Sequence, residues 1–188
     1  MQIFTKTELQ LRFSEIAEQI NSGAVFIYPT DTIYGIGCNA LDTKAVDKIR
    51  VLKKRQNNPF SIIAPSKEWI TENCVITTEG KEWLNKLPGP YKLILKLKNK
   101  NAVAKNVNPG EQTIGIRIPD HWFNEVVRKL GFPIVTTSAN LSAKLFMTSL
   151  EDLDPAIKRG VDFIIYEGEK KGRPSKIVNL VEGKIKER

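Results

Sequence analysis

Histidine and cysteine are nearly absent from this chain of 188 residues: His121 stands alone, and Cys38 and Cys74 are the only thiols. A single histidine excludes a His-rich zinc site and leaves any Ser-His-Asp relay with one candidate base. Nothing near His121 suggests that role, and it reads as a surface residue near a helix start. The cysteines have neither CxxC nor metal-ligand spacing, so two free thiols in a reducing cytoplasm are expected. No apolar run approaches the ~20 residues that cross a bilayer. Met1-Gln2-Ile3-Phe4-Thr5-Lys6 has neither the long apolar stretch nor the small-residue cleavage site of a secretory signal. A cytoplasmic protein without a membrane partner is expected.

Basic charge and apolar residues are what the chain does have. The formal net charge is +8, which suits an anionic partner such as a nucleotide or a nucleic acid, although the cations are spread along the whole chain. Hydrophobic residues at 41% are enough for one sizeable core in a single domain over residues 1–188, without linker or repeat.

Residues 8–21 read as a helix, with Leu9, Phe13, Ile16 and Ile20 at helical spacing and Thr5 and Glu8 at capping-box spacing. Ala24 to Tyr28 is a short buried strand ending at Pro29. Asp42 can cap a helix over 43–54, and Phe60 to Ile63 is another strand. Helices are expected around 66–73 and 79–86, with Pro88-Gly89-Pro90 as a break. Alternation marks a strand from Tyr91 to Lys98. Strands over 113–118, 133–137, 162–166 and 177–181 complete the set, with a helix from Pro119-Asp120 to about 130. Strands alternating with helices give an α/β class, and the loop-only connections make the sheet mixed.

Three segments carry candidate chemistry. Tyr28-Pro29-Thr30-Asp31-Thr32 leaves a strand through proline and runs into Gly35-Ile36-Gly37, reading either as a ligand-holding strand exit or as a turn with a bulge. Lys53-Lys54-Arg55 ends a helix just before Asn57-Asn58-Pro59 and an apolar strand. The cations either cap the helix or grip phosphate. Thr136-Thr137-Ser138-Ala139-Asn140-Leu141-Ser142 follows a strand and is dense in hydroxyl and amide donors, suited to phosphate oxygens or to an N-cap turn. Arg117 sits within the apolar strand Ile114 to Ile118, sharing a face with Thr113 and Gly115. A guanidinium there needs an anion, either an internal carboxylate or a ligand's. Ser175 opens a late strand.

Taken together and in order, YPTDTIYGIGCNAL, the KxR of Lys53 and Arg55, IGIRIP, TSANLS and PSKIVNL resemble the YrdC-like family of threonylcarbamoyl-AMP synthases, in its short single-domain form, from about residue 10 to 181. The resemblance implies a twisted mixed sheet with helices outside and a concave basic cavity. It implies a reaction of L-threonine, bicarbonate and ATP to threonylcarbamoyl-AMP and pyrophosphate. Downstream transferase proteins then carry the group to an adenosine of tRNA, and a direct tRNA or other RNA contact is left open. Lys53 and Arg55 match the catalytic positions. Arg55, Asn58, Thr113, Ser138, Asn140 and Arg188 match ATP positions. Thr32, Lys53, Arg117, Thr136 and Ser175 match threonine positions, with Arg117 facing the carboxylate. Magnesium is expected to arrive on ATP, with no metal ligands in the protein.

Three positions depart from the family pattern: the Arg55–Pro59 stretch is one residue short, Ala64 replaces a histidine that some members carry, and Lys92 replaces the usual threonine. The rival readings are a non-catalytic YrdC-like RNA-binding module and a carbamoyl-adenylate-forming domain of the hydrogenase-maturation type. The latter normally sits in a much longer chain.

Overall fold

The capping box expected at Thr5 closes as read. In the computed structural model, which describes residues 1–141 and 144–186, Thr5 Oγ1 accepts from the Glu8 amide at 3.3 Å and the Glu8 carboxylate accepts from the Thr5 amide at 2.7 Å. This starts α1 (Lys6–Leu11). The single helix expected over 8–21 is interrupted at Arg12, and α2 (Phe13–Asn21) follows as a separate element. Arg12 is tied down at the break. Its guanidinium lies over the Phe4 ring at 4.9 Å and donates to Glu15 at 2.6 and 2.8 Å.

The other expected helices form with small changes of boundary. They are α3 (Thr43–Lys53), capped by Asp42, then α4 (Lys67–Asn73), α5 (Thr78–Asn85) and α6 (Phe123–Leu130). The last begins later than Pro119-Asp120 suggests, and the Asp120 amide donates to the Asp31 carboxylate at 3.1 Å. A further helix, α7 (Pro155–Gly160), has Asp154 as its cap and proline in its first turn.

The strands are β1 (Gln2–Phe4), β2 (Phe26–Tyr28), β3 (Gly35–Gly37), β4 (Ser61–Ile63), β5 (Tyr91–Lys96), β6 (Thr113–Arg117), β7 (Ile134–Ser138), β8 (Phe163–Ile165), β9 (Lys176–Asn179) and β10 (Lys184–Lys186). They form one ten-stranded mixed sheet in the order β1-β8-β2-β3-β7-β4-β6-β5-β9-β10. Segment 35–37, read as a loop or bulge, is the strand β3. The reason is Tyr28: a Cβ on Gly37 would lie 2.7 Å from the Tyr28 ring and 2.5 Å from the Val135 carbonyl oxygen, so only glycine lets the strand lie this close.

Alternation sorts the core into two layers. Ile27, Ile36, Ile62, Leu93, Ile114, Ile116, Val135 and Val178 point to one face, where residues of α3, α4, α5 and α7 cover them. Phe26, Tyr28, Phe163 and Ile165 point to the other, against α1, α2 and α6. That second helical layer reaches only as far as Ile134 and Ile63. Beyond them the same face of β7, β4, β6, β5 and β9 carries hydroxyl and cationic side chains beside Ile94 and Ile177, and this is where the site lies.

Candidate active site

Cross-strand register builds the uncovered face residue by residue. Ser138 stands opposite Gly35, and Ser61 opposite both Thr136 and Gly115. Ile94 also stands opposite Gly115, which sets Lys92 beside Arg117. A small cleft, open to solvent, forms here, lined by Thr32, Arg117, Thr136, Ser138, Ser175 and Lys92 among others. Thus four positions singled out from separate segments as a threonine set converge on one cleft, with Ser138 beside them. Lys53 reaches the cleft's edge through Ser138. The cleft lining carries two cations, Arg117 and Lys92.

The strand exit at Thr30 is a hydroxyl-closed turn. Thr30 Oγ1 accepts from the Thr32 and Ile33 amides at 3.1 and 3.2 Å and bonds the Thr32 hydroxyl at 3.0 Å. This turn aims Asp31 at Arg117. The guanidinium, 5% exposed, meets the Asp31 carboxylate at 2.5 Å, with Thr32 Oγ1 at 3.4 Å. Of the two anions left open for Arg117, the internal one is therefore present. Asp31 was passed over as the partner because it lies 86 positions away in sequence. The pair does not exhaust the arginine: its Nε is buried without a hydrogen-bond partner among the described residues.

A strap over residues 166–175 closes one side of the cleft. Tyr34 Oη donates to the Gly168 carbonyl at 2.6 Å and accepts from the Glu167 amide at 3.1 Å. Glu167 gathers Trp122 Nε1 at 2.5 Å, His121 Nε2 at 2.9 Å and the Lys170 ammonium. His121 does lie near a helix start, and it is half-buried there. Its Nδ1 accepts from the Phe123 amide at 3.2 Å, and burial pulls its pKa below the ordinary value while Glu167 opposes the shift. At Gly172 the strap rests on backbone, since a Cβ there would stand 1.9 Å from the Thr32 carbonyl oxygen. Gly172→Ala is therefore expected to lift the strap and cost about 1–3 kcal/mol. An unchanged melting temperature would show that the strap is not seated on Thr32.

The candidate nucleotide residues fall into two groups. Lys53, 2% exposed, donates to the Ser138 carbonyl at 2.6 Å, the Asn140 carbonyl at 2.5 Å and Asn140 Oδ1 at 3.1 Å. The Ser138 hydroxyl donates to the same Asn140 oxygen at 2.6 Å. Burial, with Arg55 nearby as the smaller cause, brings the Lys53 pKa down to about 8. Arg55 itself stacks on Phe60 at 5.0 Å and donates to the Pro59 carbonyl at 2.5 Å. With Asn58 it opens on a separate depression rather than on the cleft. Thr113 lies further along the face of Arg117, its carbonyl held by Asn108. Arg188 and Ser142 lie outside the described residues.

Sequence reading missed Arg50, which organises this region. Its buried guanidinium donates to the carbonyls of Arg55, Gln56, Asn58, Asn106 and Val107, fastening the loop that carries Arg55 and Asn58. Ala64, where some family members carry a histidine, is fully buried in the apolar layer.

A mixed sheet with one face helix-covered and the other half bare, opening on a hydroxyl-lined cleft, defines the α/β class of this protein. The Sua5/YciO/YrdC family model, described as telomere recombination, matches residues 18–187, and the chain belongs to this family. A Methanocaldococcus jannaschii protein with the provisional name threonylcarbamoyl-AMP synthase is 38% identical over 176 residues, which are 90% of this chain and 81% of that one. A Bacillus subtilis threonylcarbamoyl-AMP synthase is 35% identical over 159 residues, covering 80% of this chain and 46% of that one. The crystal structure of P. abyssi Sua5 complexed with L-threonine superposes with a TM-score of 0.85 at 30% identity, covering 98% of this chain and 55% of that one. The chain thus spans about half the length of the latter two. The α/β architecture expected from sequence is the one these relatives share.

Proposed function

We propose that the chain forms threonylcarbamoyl-AMP and pyrophosphate from L-threonine, bicarbonate and ATP, for transfer to tRNA by partner proteins. The observation that carries the reading is the convergence of Thr32, Thr136 and Ser175 around the buried Arg117 in one cleft, in a chain so similar to relatives bearing that name. The Arg117 Nε donor takes the amino-acid carboxylate, and the three hydroxyls surround the side-chain hydroxyl. The α-ammonium gives up a proton, bicarbonate takes up one and loses water to become carbon dioxide, and the amine attacks that carbon dioxide to give the carbamate, releasing its second proton to solvent. A carbamate oxygen then attacks the α-phosphorus, and pyrophosphate leaves with the electron pair of the broken P–O bond.

The protein supplies position and charge rather than a covalent nucleophile. In this proposal the Lys53 ammonium supplies positive charge at the phosphates while its N–H groups hold Ser138 and Asn140 in place, Arg55 and Asn58 approach from their loop, and Thr113 extends the nucleotide end. No three His, Cys, Asp or Glu side chains gather to hold a resident metal among the described residues. Magnesium is therefore assigned to ATP, where it would screen phosphate charge, and no step here runs through a protein-bound ion. No described helix is long and apolar enough to cross a membrane, and the reaction is assigned to the cytoplasm.

Incubation with the three substrates, followed by mass analysis for the adenylate, tests the reading; absence of the adenylate refutes it. Threonine is expected to exceed valine by at least ~10²-fold in kcat/KM, because a site built for a hydroxyl leaves buried polar groups unpaired with the analogue. Equal turnover would remove Thr32, Thr136 and Ser175 from the substrate's side chain.

A further inference from the structure

We infer that Glu167 is a positioning residue for the amino-acid end of the cleft: its carboxylate clamps the 166–175 strap to the segment that starts α6, and so fixes Thr32 and Ser175 around the substrate's hydroxyl. The inference rests on the function proposed above and goes beyond it by naming what holds two of the three hydroxyls in register. The strap needs such a device. Residues 166–175 form neither helix nor strand. Backbone bonds to the rest of the chain are sparse, with the Tyr166 amide on the Phe4 carbonyl and the Lys170 amide on the Thr148 carbonyl, both at 2.9 Å. Yet the strap carries Ser175 into the cleft and rests Gly172 on the Thr32 carbonyl. On its far side Ser175 is secured by β9, where the Lys176 amide donates to the Pro90 carbonyl at 3.0 Å. On its near side it is only as steady as the strap.

The cluster around Glu167 is matched to an ionised carboxylate. His121 Nδ1 accepts from the Phe123 amide, so Nε2 carries the ring proton and donates to one Glu167 oxygen at 2.9 Å. Trp122 Nε1 donates to the other oxygen at 2.5 Å, and the Lys170 ammonium joins them. None of these three groups can accept a hydrogen bond in this arrangement, so the residue between them has to be acceptor-only. Burial works to raise the Glu167 pKa, and the three donors outweigh it, holding the carboxyl below its ordinary value. Glutamine has the same size but keeps one acceptor oxygen and turns an amide N–H toward a donor. Tyr34 extends the clamp to the cleft wall that it helps to line. Its ring stacks on Tyr166 at 5.6 Å, and its hydroxyl bonds the backbone on both sides of the Glu167–Gly168 peptide.

The test compares wild type with Glu167→Gln and with Trp122→Phe, which removes one donor and keeps an aromatic ring. Adenylate formation is measured with threonine and with valine, well below the melting temperature of each variant. Glu167→Gln is expected to raise KM for threonine at least tenfold with kcat within threefold, and to leave KM for ATP within twofold. The preference for threonine over valine in kcat/KM should fall at least tenfold, because the hydroxyls are no longer held in place. Trp122→Phe should show the same pattern at smaller amplitude. Lost stability alone would affect both amino acids and ATP alike, so an unchanged threonine-to-valine ratio in Glu167→Gln overturns the inference. Hydrogen exchange without substrates reads the clamp itself. Amides of residues 166–175 should exchange at least tenfold faster in Glu167→Gln while those of β4 and β6 stay within twofold of wild type, and equal rates in 166–175 overturn the inference as well. If wild type forms no adenylate, the proposed reaction falls and the positioning role with it; if wild type forms adenylate and the ratio holds in the variant, only the inference falls.

Discussion

Lys53→Met is expected to fold and to lose adenylate formation by about 10²–10³-fold, the scale of removing one preorganised charge contact at a reacting phosphate. Methionine fills the same volume but donates nothing. The Ser138 and Asn140 carbonyls and Asn140 Oδ1 then lose the ammonium that holds them at 2.5–3.1 Å. Stability should drop by about 1–3 kcal/mol for the stranded acceptors.

The titration of Lys53 adds a signature in pH. Its folded pKa near 8 lies below the unfolded value of 10.5. Between the two the unfolded chain binds more protons, so this group makes stability rise with pH from about 8 upward. Activity that needs the ammonium falls over the same window. The buried thiols act oppositely above pH 9, since burial raises Cys74 to about 12 and Cys38 further. The difference between wild-type and Lys53→Met melting curves isolates the lysine. A variant within threefold of wild type in kcat/KM would place Lys53 outside the chemistry.

Local signals carried much of this architecture. The Thr5–Glu8 box, the Asp42 cap and the alternation from Tyr91 all lie within a few residues of what they control, and each element formed. The α7 helix was legible in Asp154-Pro155 by the same rules and was passed over. What could not be read locally was pairing across the chain. Asp31 finds Arg117 only after β4 and β6 pair in parallel and the Thr30 turn is set. Gly37 is a strand residue only because Tyr28 lies over it, and Gly172 seats on Thr32 across 140 positions of sequence. The candidate site was legible as residue types, in that hydroxyls at strand exits and one arginine in an apolar strand were visible. Its charge balance was not, because that depends on which carboxylate the fold delivers to the arginine.

Arg117 is where that balance can be measured. Arg117→Leu leaves the nearly buried Asp31 carboxylate with the Asp120 amide, at 3.1 Å, as its remaining hydrogen-bond partner among the described residues. Breaking a buried pair from one side costs about 3–5 kcal/mol. The double variant Asp31→Leu/Arg117→Leu removes both charges and should recover part of that loss, so the two substitutions are expected to be less damaging together than their sum. Function should not recover with stability, because the carboxylate then has no guanidinium to meet. Arg117→Lys separates the two roles more finely. It keeps a charge for Asp31 and the fold, but loses the Nε donor and the two-pronged geometry of the guanidinium. Threonine affinity should fall by at least about tenfold, the equivalent of ~1.4 kcal/mol, while ATP affinity changes far less. Calorimetry of both ligands on the lysine variant decides between the two ends of the cleft. If ATP affinity collapses and threonine binding survives, Arg117 serves the nucleotide and the assignment of the cleft is inverted.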